Sequence, residues 1–141
     1  MFGHPLHPAV VHFPLALLLS ATFTDALWVL GVTGATHFGA LLMAGGLGMG
    51  LVAATAGMVD FAKLDQAIVP NAMQHMAAVS LAWLGYAVAL YLRKDSLFAE
   101  APLSAATVAA SALSAAVLAL GGWLGGKLVY SFGAGVSKPR Q

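Results

Sequence analysis

Cysteine is absent from this chain, which excludes disulfides, Cys-ligated iron–sulfur clusters and thiolate nucleophiles. Charge is scarce as well: six basic and five acidic side chains among 141 residues, 8% in all. So few charges cannot clothe a soluble domain of this length, and they form no basic patch on which a nucleic acid could dock. What is abundant is hydrocarbon. The chain is 60% hydrophobic, with a mean hydropathy of +0.88. Such a composition implies that most of the surface faces lipid.

Four apolar runs reach spanning length: Pro8 to Leu30, His37 to Ala62, Asn71 to Leu92 and Leu103 to Leu124. A hydrocarbon core of about 30 Å needs roughly 20 residues at 1.5 Å rise, and each run supplies them. Lipid offers backbone groups no hydrogen-bond partner, so each span is a helix or a barrel strand. The runs lack a two-residue alternation and are rich in Ala, Leu and Gly, which selects helices. The expected fold is all-α: an antiparallel four-helix integral membrane bundle forming one domain over residues 1–141, with no soluble domain. Pro8, Pro70 and Pro102 precede or open runs, where a missing N–H does no harm. No internal repeat is evident from the residues.

The first run lacks the basic leader and small-residue cleavage boundary of a secretory signal and reads as a retained span. With four spans, the N-terminus, the loop near Lys63 and the tail share one face. Lys63, Lys127, Lys138 and Arg140 lie on that face, against Arg93 and Lys94 on the other. The positive-inside rule then places both termini in the cytoplasm. Gly46 and Gly50, and the pairs Gly121/Gly125 and Gly122/Gly126, are spaced for close helix packing.

The polar chemistry collects at the N-terminal face. Gly3-His4-Pro5-Leu6-His7-Pro8 and then His12-Phe13-Pro14 hold three of the five histidines. With helices opening at Pro8 and Pro70, His12 and His75 lie roughly 6–8 Å below the same face. Asp60 arrives there at the end of the second helix, and Pro14 frees the carbonyl of Val10. His4, His7, His12, Asp60 and His75 are therefore expected to converge, either as a cofactor or ion site or as a hydrogen-bonded interfacial cluster. Pro5 and Pro8 bias His4 and His7 to extended, polyproline-like geometry, with rings about 9 Å apart. His37, on the opposite face, reads as interfacial, and Asp25 as part of a far-side network or as a protonated carboxyl.

The stretch Gly3-His4-Pro5-Leu6-His7-Pro8…His12-Phe13-Pro14, with Gly57-x-x-Asp60, His75 and Gly121-Gly122…Gly125-Gly126-x-Leu128-Val129-Tyr130…Gly133-x-Gly135-Val136, resembles a bacterial family of predicted membrane proteins of unknown function. The resemblance covers nearly the whole chain. It implies a four-helix inner-membrane protein. Some members of that family stand fused to, or encoded beside, Rieske-type or other redox modules, which implies respiratory electron transfer.

Two functional classes follow. In the first, His12 and His75 ligate one b-type haem, making the protein an electron carrier rather than an enzyme. A Zn or Cu ion held by His4, His7, His12, Asp60 and His75 is a variant of that class. In the second, the chain is a non-catalytic accessory subunit of a larger respiratory or photosynthetic membrane complex. Its partners are the bilayer and either a redox protein or such a complex. Transport is disfavoured, because there is no broken midplane helix.

Overall fold

The computed structural model describes residues 6–134, and every regular element within them is helical. A five-residue helix α1 (Leu6–Val10) leads into α2 (His12–Val29), followed by α3 (Ala35–Phe61), α4 (Val69–Leu92) and α5 (Ala105–Tyr130); a short 3-10 turn covers Lys94–Leu97. Four segments are long and apolar enough to cross a membrane: His7–Val29, Ala35–Phe61, Val69–Leu92 and Ala105–Tyr130. The protein is thus an all-α membrane protein. Two boundaries differ from the sequence expectation. Helix begins before Pro8, so His7 is helical rather than extended. At the other end, α5 runs through Gly125-Gly126 to Tyr130 instead of stopping near Leu124.

Local chemistry explains the boundaries. Pro14 has no N–H for the Val10 carbonyl, and the chain turns at Val11 between α1 and α2. Gly31 (φ 87°) ends α2 in a Schellman motif, in which Gly31 N donates to Trp28 O (2.8 Å) and Val32 N to Leu27 O (3.0 Å). Ser104 caps α5 by accepting from Thr107 N at 3.1 Å.

The start of α3 is capped from outside its own helix. The exposed Glu100 carboxylate accepts N–H bonds from Thr36 (3.2 Å) and His37 (3.1 Å), His37 Nδ1 donates to Ser96 O (2.8 Å), and Ala101 N donates to Thr36 Oγ1 (3.2 Å). The backbone N–H of His37 above all, with the Thr36 donors, holds the Glu100 carboxyl below its ordinary value of 4.5. A depressed carboxyl stabilises the fold above the unfolded value, and that contribution disappears as pH falls through the lower, folded one. Thermal midpoints in detergent between about pH 6 and about pH 3 should decline on the acid side in the wild type, and less steeply in Glu100→Gln. Parallel profiles would contradict this cap.

The bundle is a ring in which α2 packs on α3 and α4 on α5, closed by α3 against α4 and α2 against α5. α2 and α4 are therefore diagonal, and their inward side chains meet at the centre. Lipid supplies no hydrophobic drive between helices, so close packing and interhelical hydrogen bonds hold them. Thr22 Oγ1 bonds Tyr86 Oη (2.8 Å) and Ser111 Oγ (3.0 Å), and Trp83 Nε1 donates to Leu47 O (3.0 Å). Large apolar side chains such as Phe23, Leu81 and Leu113 point outward instead, each more than 60% exposed, as a lipid-facing surface requires.

Asp25 belongs to a far-side network. It forms a bidentate pair with Arg93, and both are buried. Arg93 thus turns inward rather than standing as a loop charge, and its buried Nε has no hydrogen-bond partner among the described residues.

An internal repeat that the residue identities conceal emerges from burial. Asp25 and Arg93 lie 68 positions apart. The same offset carries the buried Pro14, Leu18 and Ala21 of α2 onto the buried Ala82, Tyr86 and Ala89 of α4. It also carries Gly39, Met43, Gly46 and Ala53 of α3 onto Thr107, Ser111, Ser114 and Gly121 of α5, all of them buried. Because α2 and α4 run the same way, the two hairpins are related by a pseudo-twofold axis along the bundle.

Candidate functional site

The repeat brings two histidines together at the face shared by α1, the end of α3, the start of α4 and the end of α5. His7 Nδ1 donates to the Ala53 carbonyl (2.8 Å), and His75 Nδ1 donates to the Gly121 carbonyl (2.8 Å). Donor and acceptor are 46 residues apart in both cases. One turn beyond each acceptor stands a glycine that makes room for the ring. A Cβ on Gly57 would lie 3.1 Å from His7 Nδ1, and one on Gly125 would lie 2.9 Å from His75 Cε1. The imidazole centres are 6.3 Å apart, with their planes at 76°.

The hydrogen bonds fix the chemistry of both rings. A carbonyl oxygen only accepts, so each Nδ1 carries the proton and each Nε2 keeps its lone pair. Neither Nε2 has a hydrogen-bond partner among the described residues. This is the arrangement by which a backbone carbonyl orients a metal-ligating histidine. Asp60 supports the site from behind, its Oδ2 accepting from the backbone N–H of His7 at 3.3 Å.

The other sequence candidates are placed as follows. The ring facing His75 is that of His7, whereas His12 is exposed and lines an apolar surface groove with Phe13, Ala16 and Leu17. The reason is the early helix start, which puts His7 inside the bundle and turns His12 away. His4 lies outside the described residues. Among those described, no three His, Cys, Asp or Glu side chains gather as a metal-holding group. Near the same face, Lys127 lies over the Trp123 ring, 5.7 Å from its centre. Residue-by-residue reading missed the Ala53 and Gly121 acceptors and the His7 partnership. The equal spacing of His7 from Gly57 and of His75 from Gly125 was the signal that could have found them.

A family model described as Predicted membrane protein (DUF2231) matches residues 3–138. Among curated proteins and among solved structures, no match to the chain was found.

Proposed function

We propose, for a chain that belongs to this DUF2231 family of predicted membrane proteins, that it is a membrane electron carrier in which His7 and His75 would hold one b-type haem. The observation that carries the reading is the pair of carbonyl-anchored imidazoles 6.3 Å apart. Neither Nε2 bonds another described residue, so the two rings would offer an iron two imidazole nitrogens. A haem iron needs only two protein ligands, whereas a structural Zn²⁺ needs four and a catalytic one three. A two-imidazole site therefore favours haem over a bare Zn ion. His7 here takes the role that helix-depth arithmetic alone gives to His12.

Haem would supply reversible one-electron chemistry; the protein supplies two oriented lone pairs and a lipid-embedded bundle around them. Electrons would pass to or from a redox protein or a larger membrane complex at the face that carries Asp60, Lys63 and Lys127. We assign that face to the cytoplasm of a bacterial inner membrane. Lys63 and Lys127 belong to it, and the inward turn of Arg93 reduces the opposing loop's free cations to Lys94.

Protein purified from cells supplied with haem is expected to show a Soret band that shifts on dithionite reduction, with a low-spin bis-histidine electron paramagnetic resonance signal. His7→Ala and His75→Ala should each abolish the low-spin state, while His12→Ala and His37→Ala keep it. Loss of the signal in His12→Ala but not in His7→Ala would move the ligand back to His12. A folded but colourless wild-type protein would reject haem and leave the accessory-subunit reading.

A further inference from the structure

The pseudo-twofold axis passes between His7 and His75 at one end of the bundle and between Asp25 and Arg93 at the other. At the first end the two halves contribute the same residue; at the second they contribute opposite charges. Each hairpin presents its partner with the same kind of buried face, drawn from equivalent positions: Leu18 with Tyr86, Ala21 with Ala89 and Met43 with Ser111. A surface of that kind is self-complementary, because a twofold interface sets the same patch against itself. Two N-terminal hairpins from different chains, or two C-terminal ones, could therefore dock in the same way. In those pairings the axis would hold two Asp25 carboxylates or two Arg93 guanidinium groups, buried against each other. Buried like charges are strongly disfavoured, and only the mixed pairing neutralises the axis.

We propose that the chain is a duplicated hairpin whose halves are equivalent docking partners, and that the Asp25–Arg93 pair directs each N-terminal hairpin onto a C-terminal one. The pair is thereby a positioning device: by selecting the mixed assembly it brings one His7 opposite one His75. This inference rests on the repeat and the ion pair, not on a bound haem, and its test reads assembly alone.

The experiment uses full-length variants in mild detergent, scored by the yield of monodisperse protein on size exclusion. Asp25→Arg and Arg93→Asp, each alone, place like charges on the axis and should lower that yield about tenfold or more. The exchanged double variant Asp25→Arg/Arg93→Asp rebuilds the pair with its ends interchanged and should return to within about threefold of wild type. When the two single variants are co-expressed with different tags, the arginine-bearing hairpins of one chain can dock on the aspartate-bearing hairpins of the other. They should then co-purify about tenfold above two differently tagged wild-type chains. A double variant as poor as the singles would overturn the equivalence of the two positions. Single variants with wild-type yield, or single variants that fail to co-purify, would overturn the directing role.

Discussion

Replacing Arg93 by Leu is expected to destabilise the bundle by about 3–5 kcal/mol, because it leaves the Asp25 carboxylate charged, buried and without its partner. Both groups are almost wholly removed from solvent, at 3% and 2% exposure for Arg93 and Asp25. Here the partner's absence matters more than the pair's presence. Extracting two charges from water costs nearly what their attraction returns, so Asp25→Leu/Arg93→Leu should recover most of the loss. The Nε of Arg93, without an acceptor among the described residues, adds to the native penalty, since a buried donor left unpaired costs about 1–3 kcal/mol. Thermal unfolding in detergent of the single and double variants makes the comparison. A double variant no better than Arg93→Leu would mean that the pair itself, not the avoidance of a lone charge, stabilises the fold.

The second large effect is expected at Gly125. An alanine there puts its Cβ 2.9 Å from His75 Cε1, so the ring must leave. Its bond to the Gly121 carbonyl, 2.8 Å long, goes with it. Stability should change little, because the gain of about 1 kcal/mol in helix propensity offsets a lost hydrogen bond of about 0.5–1.5 kcal/mol. Histidine chemistry should change greatly. Nitrogen chemical shifts of the His75 ring, fixed as the Nδ1–H tautomer in the wild type, should move to a tautomer mixture, and any haem retained by the protein should fall about tenfold. Gly57→Ala should do less, since its Cβ would stand 3.1 Å from His7 Nδ1 and a shift of a few tenths of an ångström relieves it. Equal and negligible effects at both glycines would show that these small residues do not shape the ring positions.

The spans were legible because length and hydropathy suffice to define them, and α3 begins and ends within two residues of its apolar run. The end of α5 was not. The apolar run ends near Leu124, yet in the bundle Gly125 is the floor of the His75 ring, and packing against a neighbouring helix overrides the weak propensity of glycine. Convergence at one face was correctly signalled for His7, Asp60 and His75, because antiparallel helices return their ends to shared faces. The choice of partner was not, because Pro8 was read as the first helical residue when the helix already holds Leu6 and His7. The repeat stayed hidden for a different reason. Duplicated faces need only be small or apolar to pack, so Leu18 and Tyr86, or Gly46 and Ser114, satisfy one geometry with unrelated side chains.

A helix in lipid is free to spin about its own long axis unless side chains at several depths stop it. Helix α4 and its last cap are tied at four levels and in three directions. His75 reaches α5, Trp83 reaches α3, and Tyr86 and Arg93 reach α2. From His75 to Arg93 these ties cover roughly 27 Å of helix axis, close to the thickness of the hydrocarbon layer. Each neutral bond contributes only about 0.6 kcal/mol in a membrane setting. Their sum is modest as cohesion but decisive as azimuth: turning α4 by even a quarter revolution breaks all four at once. The direction in which the His75 ring points is thus determined along the whole depth of the membrane, not only by the carbonyl beside it.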